Sequence, residues 1–287
     1  MSKNKVATYT LNNGNKIPKI GLGVYLAPRN VTEDVVYNAL KTGYRHVDSA
    51  QAYHNEEEAA NGIARWINED PENNKREDVF FTTKIFDDSH GYELTKKAIE
   101  TSLIRTKSIG YIDLILMHSP QSNYEKRHGS WVALQEAVDA GTVKNIGLSN
   151  YGAHHVKEVL DYPDLKYKPV INQVEVHPWL TREDLVDFCV KNDILIEAYS
   201  PLVKGKKLDD ELVVKLAEKY GKEPGQILIN WSLAKGFLPL PKTTTISRLL
   251  PNLESADFEL SSDDVAALDA KDEYLTTSWD PTVYEKS

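Results

Sequence analysis

The chain has 287 residues, 41% hydrophobic and 27% charged, which is the make-up of a water-soluble globular protein. Acidic side chains outnumber basic ones 43 to 34, for a net charge of −9; that argues against nucleic acid as the main partner, which requires a basic face, though not against a small basic pocket for an anionic cofactor. The single cysteine, Cys189, rules out an intramolecular disulfide. The start is polar, and the most apolar run (112–117) is far below the ~20 residues of a spanning helix, so a cytoplasmic protein without membrane contact is expected.

In chain order, residues 8–11 and 16–19 flank Asn12-Asn13-Gly14, a hairpin turn signal. Short, dense apolar runs follow at 20–23, 45–49, 79–84, 113–118, 145–149, 171–175, 194–199 and 238–241. They do not alternate with polar residues, as expected of parallel strands covered on both faces. Helical patterns lie between them at 31–41, 92–107, 131–139, 182–191, 208–220 and 225–235. About eight βα units without a linker predict an α/β fold: one (β/α)8 TIM barrel over residues 1–287, its floor capped by the N-terminal β-hairpin, with an extra C-terminal helix and tail. The same alternation permits an open doubly wound sheet, but Gly21-Leu22-Gly23 lacks the third glycine of a dinucleotide fingerprint.

Polar residues collect at the C-terminal ends of the predicted strands: Asp48, Lys84, His118, Ser149, Asn150, Gln173 and Glu175. In a barrel those ends form one mouth. Singly each has a bland reading: His118, before Ser119-Pro120, as a satisfied buried imidazole, Lys84 as an end-of-strand lysine reaching solvent. Convergence carries the argument. Carbonyl reduction needs hydride at carbon and a proton at oxygen. A phenol is a poor acid at neutral pH, but a lysine ~4 Å away favours the phenolate by up to ~4 kcal/mol at an effective dielectric near 20, about three pKa units. Lys84 is therefore expected to tune Tyr53 downward as a general acid, with Asp48 holding the lysine charged and His118 orienting the substrate oxygen.

The run Gly43-Tyr44-Arg45-His46-Val47-Asp48-Ser49-Ala50, with Tyr53 five residues after Asp48, resembles the first signature of the aldo-keto reductase family. Lys144-Asn145-Ile146-Gly147-Leu148-Ser149-Asn150-Tyr151 resembles its second, and Leu240-Pro241-Lys242-Thr243, with Arg248 and Asn252 downstream, its third. The resemblance spans nearly the whole chain and is nearest to fungal members reducing aldoses and other carbonyl compounds. It implies a monomeric oxidoreductase that uses NADPH to reduce aldehydes and ketones to alcohols. Tyr53 would donate the proton, Lys84 and Asp48 would tune it, and His118 would orient the substrate. Ser149, Asn150 and Gln173 would hold the nicotinamide carboxamide, Tyr199 would stack on the ring, and Ser200 and Leu202 would line the pyrophosphate. Lys242, Thr243 and Arg248 would surround the adenosine 2′-phosphate and Asn252 the adenine. Charge-assisted bonds of roughly 1.5–3 kcal/mol each make a preference for NADPH over NADH of about tenfold to several hundredfold. Tyr25, Phe86, His118, the segment 119–130 and Trp279 would wall the substrate pocket.

The chain departs from the family pattern at four places. His54 and Ala60 stand where glycine is usual, Pro251 replaces a glutamate expected at the adenine, and residues 203–207 form a short basic segment in place of a longer loop. The short segment implies faster cofactor exchange, with its lysines available to phosphate. The consecutive His154 and His155 do not share a helix face, and His177-Pro178 reads as a strand end, so no metal site is expected. Two other functions fit the same residues: a Schiff-base aldolase with Lys84 as nucleophile, and a nucleotide-binding subunit without catalysis.

Overall fold

The computed structural model describes residues 7–285. Strands β1 (Thr8–Thr10) and β2 (Lys16–Pro18) pair antiparallel across the Asn12-Asn13-Gly14 turn. Eight parallel strands follow: β3 (Leu22–Gly23), β4 (His46–Asp48), β5 (Phe80–Ile85), β6 (Ile112–Met117), β7 (Val143–Ser149), β8 (Ile171–Glu175), β9 (Leu195–Tyr199) and β10 (Leu238–Leu240). β10 returns to β3 through Gly21 N–H to the Pro239 carbonyl, Gly23 N–H to that of Pro241, and a parallel bridge between Gly23 and Lys242, closing the barrel. The open-sheet alternative is thereby excluded.

Helices α1 (Arg29–Thr42), α2 (Glu56–Glu69), α3 (Tyr92–Arg105), α4 (Tyr124–Asp139), α5 (Ala153–Leu160), α6 (Glu183–Lys191), α7 (Glu211–Tyr220), α8 (Pro224–Ala234), α9 (Leu249–Leu253) and α10 (Ser262–Asp269) cover the barrel. α4 starts seven residues earlier than the apolar pattern suggests, because Asn123 Oδ1 accepts the Lys126 N–H as an N-cap. Of the segment 119–130 expected to wall the pocket, residues 124–130 are thus helix.

Side chains alternate along each strand. Val47, Phe81, Ile115, Met117, Ile146, Leu148, Val174 and Ile196 pack outward into the core shared with the helices, while Phe80, Leu114, Leu116, Ile171, Leu238 and Leu240 form a separate apolar floor inside the barrel. Leu11 and Ile17 of the hairpin join that floor, and Tyr9 Oη donates to the Phe237 carbonyl. The hairpin is the plug the sequence predicts. Above the floor the same inward positions turn polar: His46 and Asp48, Thr82 and Lys84, Gln173, Glu197. Gly21 is required here, since a Cβ would come within 2.6 Å of His46 Nδ1 and 2.7 Å of Leu240 Cδ2.

Candidate active site

Four elements bring the expected side chains to the mouth. Asp48 ends β4, Tyr53 closes a single 3₁₀ turn (Gln51–Tyr53) just after it, Lys84 is the penultimate residue of β5, and His118 follows β6. His54, next to Tyr53, has φ of +56°, a left-handed conformation that favours glycine. The histidine adopts it, so the turn keeps its shape. Lys84 is fully buried; its Nζ donates to both Asp48 carboxylate oxygens at 2.7 Å and to the Ser49 carbonyl at 2.8 Å, and lies 3.4 Å from Tyr53 Oη. The Tyr53 ring is half-buried, 5.8 Å from the His118 ring and 5.0 Å from that of Tyr25. Phe86 and Trp279 stand 5.6 and 6.4 Å from His118, completing an aromatic rim.

The electrostatics correct one expectation. The Tyr53 phenol is pushed well above its ordinary value, by burial of the hydroxyl and then by the charge of Asp48, with Tyr25 and Glu197 adding to it when they are ionised. The Lys84 ammonium, engaged at 2.7–2.8 Å by Asp48 and Ser49, does not outweigh these effects. Tyr53 therefore carries its proton throughout the neutral range. Burial and the nearby Lys84 charge press His118 down to about 3, so its imidazole is neutral; its Nδ1 is buried without a hydrogen-bond partner.

The residues expected along the cofactor lie along the same mouth. Ser149 Oγ donates to the Gln173 carbonyl at 2.9 Å, Asn150 Nδ2 donates to the His118 carbonyl at 2.9 Å, and Tyr199 Oη donates to Asn150 Oδ1 at 2.8 Å. Gln173 Nε2 donates to Asp48 Oδ1 at 2.9 Å and to Glu197 Oε2 at 2.6 Å, leaving its carbonyl oxygen as the free end of the amide. Ser200 has φ of +51°, and Leu202 is half-buried beside Gly225. Beyond them Thr243 and Asn252 are buried, while Lys242 and Arg248 are exposed, with no ion pair to either among the described residues. Pro251 serves the fold, its carbonyl accepting Gln226 Nε2 at 2.9 Å.

Two further expectations change. In the short 203–207 segment, Lys204 donates to the Thr277 carbonyl and Lys207 pairs with Glu273 at 2.9 Å, so two of its lysines bind the C-terminal tail. His154 and His155, although consecutive, have ring centroids 3.8 Å apart and both approach the Tyr284 carbonyl. Sequence reading passed over Glu197, whose signal was the period-two spacing that puts it on the same inward face as Leu195 and Tyr199. It also passed over the Arg182–Asp280 ion pair at 2.9 Å.

Comparison with known proteins decides the family. Residues 19–273 match the aldo/keto reductase family. The chain belongs to that family. It is 47% identical over 274 residues to an uncharacterized oxidoreductase of Saccharomyces cerevisiae, covering 96% of this chain and 97% of the relative. It is 38% identical over 280 residues to a glyoxal reductase of Bacillus subtilis, covering 96% and 98%. The solved aldo-keto reductase of Bombyx mori in complex with NADP superposes with a TM-score of 0.87 at 33% identity, covering 96% of this chain and 95% of that one. This aldo/keto reductase is accordingly an oxidoreductase enzyme, and among its described residues no helix is long and apolar enough to cross a membrane.

Proposed function

We propose that the protein reduces small aldehydes and ketones with NADPH, Tyr53 giving the proton to the nascent alkoxide. The observation that carries this reading is the Tyr53 hydroxyl 3.4 Å from an ammonium that is itself locked between Asp48 and Ser49. An alkoxide is a far stronger base than a phenolate, so a phenol held above its ordinary value still transfers its proton once the carbonyl oxygen becomes negative. Lys84, beside the hydroxyl, then stabilises the phenolate left behind. His118, neutral at working pH, presents a polar ring edge to the carbonyl oxygen without adding charge. Aromatic walls at Tyr25, Phe86 and Trp279 keep water from the reacting oxygen, which suits compact carbonyl compounds such as the α-dicarbonyl named for the Bacillus relative.

The residues present fit NADPH. Exposed, unpaired Lys242 and Arg248 next to buried Thr243 make a small cationic corner on an acidic protein, as a 2′-phosphate requires. Asn252 would line the adenine side, Ser200 and Leu202 the pyrophosphate, and Tyr199 the nicotinamide face. Gln173, with both amide hydrogens committed, would accept from the carboxamide through its carbonyl oxygen, beside Ser149 and Asn150. When bound, NADPH supplies the hydride. An aldolase reading is disfavoured because a Schiff-base lysine needs a free lone pair, and Lys84 is tied to two carboxylate oxygens and a carbonyl.

Tyr53→Phe tests the proposal. Loss of the proton donor is expected to lower kcat by about 10²–10⁴-fold while NADPH affinity, read by fluorescence titration, stays within about twofold. Wild-type turnover in that variant would overturn the assignment.

A further inference from the structure

Beneath the proposed catalytic group lies a second carboxyl that the reaction scheme does not use. Glu197 points inward from β9 and is fully buried. Its Oε2 accepts Gln173 Nε2 at 2.6 Å, and the same nitrogen donates to Asp48 Oδ1 at 2.9 Å, so one amide bridges two carboxyls. Its Oε1 is buried with no hydrogen-bond partner and lies 3.6 Å from His46 Nε2.

The only cation it faces among the described residues is Lys84, which is bonded to Asp48. From β4 it faces His46 and Asp48; from β5, Lys84; from β8, Gln173; and from the turn after β4, Tyr53. β10 pairs at this level through apolar Leu238. Lys84 Nζ is bonded to Asp48, and His46 is neutral, since burial and the Lys84 charge press it down to about 3. An ionised Glu197 would put two carboxylates on one amide in a dry interior with a single ammonium, an arrangement that drives one acid to keep its proton. Burial, with Asp48 next, pushes Glu197 up to about 8, in agreement with the geometry.

We propose that Glu197 is a positioning residue that remains a neutral acid during the reaction, with its proton on Oε1 facing His46. In this state it fixes the Gln173 amide, so that only the Gln173 carbonyl oxygen faces the mouth, and keeps a second negative charge away from Tyr53. Ionised, it opposes formation of the Tyr53 phenolate, because its charge raises the phenol further. Only the kinetic consequence rests on the carbonyl-reductase reading.

Glu197→Gln is the test, the amide having the shape of the acid and no proton to lose. Two measurements decide. In the protein without cofactor, the infrared carbonyl stretch of a buried protonated carboxyl is expected near neutral pH, to fade as the pH is raised through about 8, and to be missing from the variant. In alcohol oxidation with NADP+, where Tyr53 must lose its proton to act as base, the rise of kcat with pH is expected to move to lower pH by about one unit in the variant. Absence of the band in wild type overturns the proposal; so does superposition of the two pH profiles. If the variant does not fold, the wild-type infrared titration alone decides. If wild type shows no NADPH-dependent turnover, the reductase reading fails while the infrared result still decides the state of Glu197.

Discussion

Arg248 shows how a single side chain can be read through what it lacks. It is exposed at the end of a 3₁₀ turn (Ile246–Arg248), and no acidic group answers its charge among the described residues, although the protein carries 43 acidic side chains. A guanidinium left open beside Thr243 and Lys242 is of use to a phosphate and of little use to a ribose hydroxyl. Arg248→Ala is therefore expected to weaken NADPH by roughly ten- to a hundredfold and NADH by less than about twofold, measured as paired Kd values at fixed ionic strength. Equal losses for the two nucleotides would remove the 2′-phosphate from this corner.

At the scale of elements, the tail after α10 matters most. It crosses the mouth on several ties: Leu275 N–H to the Trp179 carbonyl at 2.8 Å, Thr277 N–H to the Glu175 carboxylate at 2.9 Å, and Asp280 to the buried Arg182 guanidinium at 2.9 Å. Trp279 sits between the last two ties and reaches the His118 ring. Arg182→Met should release Trp279, raising KM for a bulky aromatic aldehyde about tenfold while sparing a small dicarbonyl. In a Trp279→Ala background the same change should have no further effect, and additive losses would show that Arg182 acts elsewhere. This tie was invisible in the sequence because its partners are 98 positions apart and nothing local marks the pairing. The strands were legible to within two residues because parallel, doubly covered strands leave continuous apolar runs. α2 was missed for the opposite reason: its buried face includes Ala59, Ala60 and Gly62, which carry little apolar weight. Gly62 is small because α1 packs directly on it, a Cβ there meeting the Glu33 carbonyl at 2.7 Å. The tetrad was legible as convergence at strand ends, but the phenol's direction of shift was not, since it depends on burial of the hydroxyl and the charge of Asp48 outweighing Lys84.

For the molecule as a whole, neutral imidazoles are spread through the interior. His46 lies inside the barrel, His118 at its mouth, His90 beside the 119–123 loop and His155 under the tail; burial is the largest cause in each case, holding the first two at about 3 and the others at about 4. A histidine whose folded pKa is depressed contributes stability fully above its unfolded value, and that contribution is lost as pH falls toward the folded one. The window here runs from 6.5 down to about 4 for His90. Asp87, raised to about 6 chiefly by burial, works in the opposite sense in part of that window, so the bare pH dependence of Tm mixes signs. A difference measurement separates them. His90 Nδ1 bonds Ser122 Oγ at 2.7 Å and its Nε2 stands 3.6 Å from Asp87 Oδ1, and His90→Asn removes the titrating ring while leaving Asp87 in both proteins. The stability advantage of wild type over this variant is expected to shrink as pH is lowered from 7 to 4, by up to about 3 kcal/mol, read from urea midpoints at matched ionic strength. A gap that stays constant over that range would mean that the His90 ring takes up its proton equally in the folded and unfolded chains.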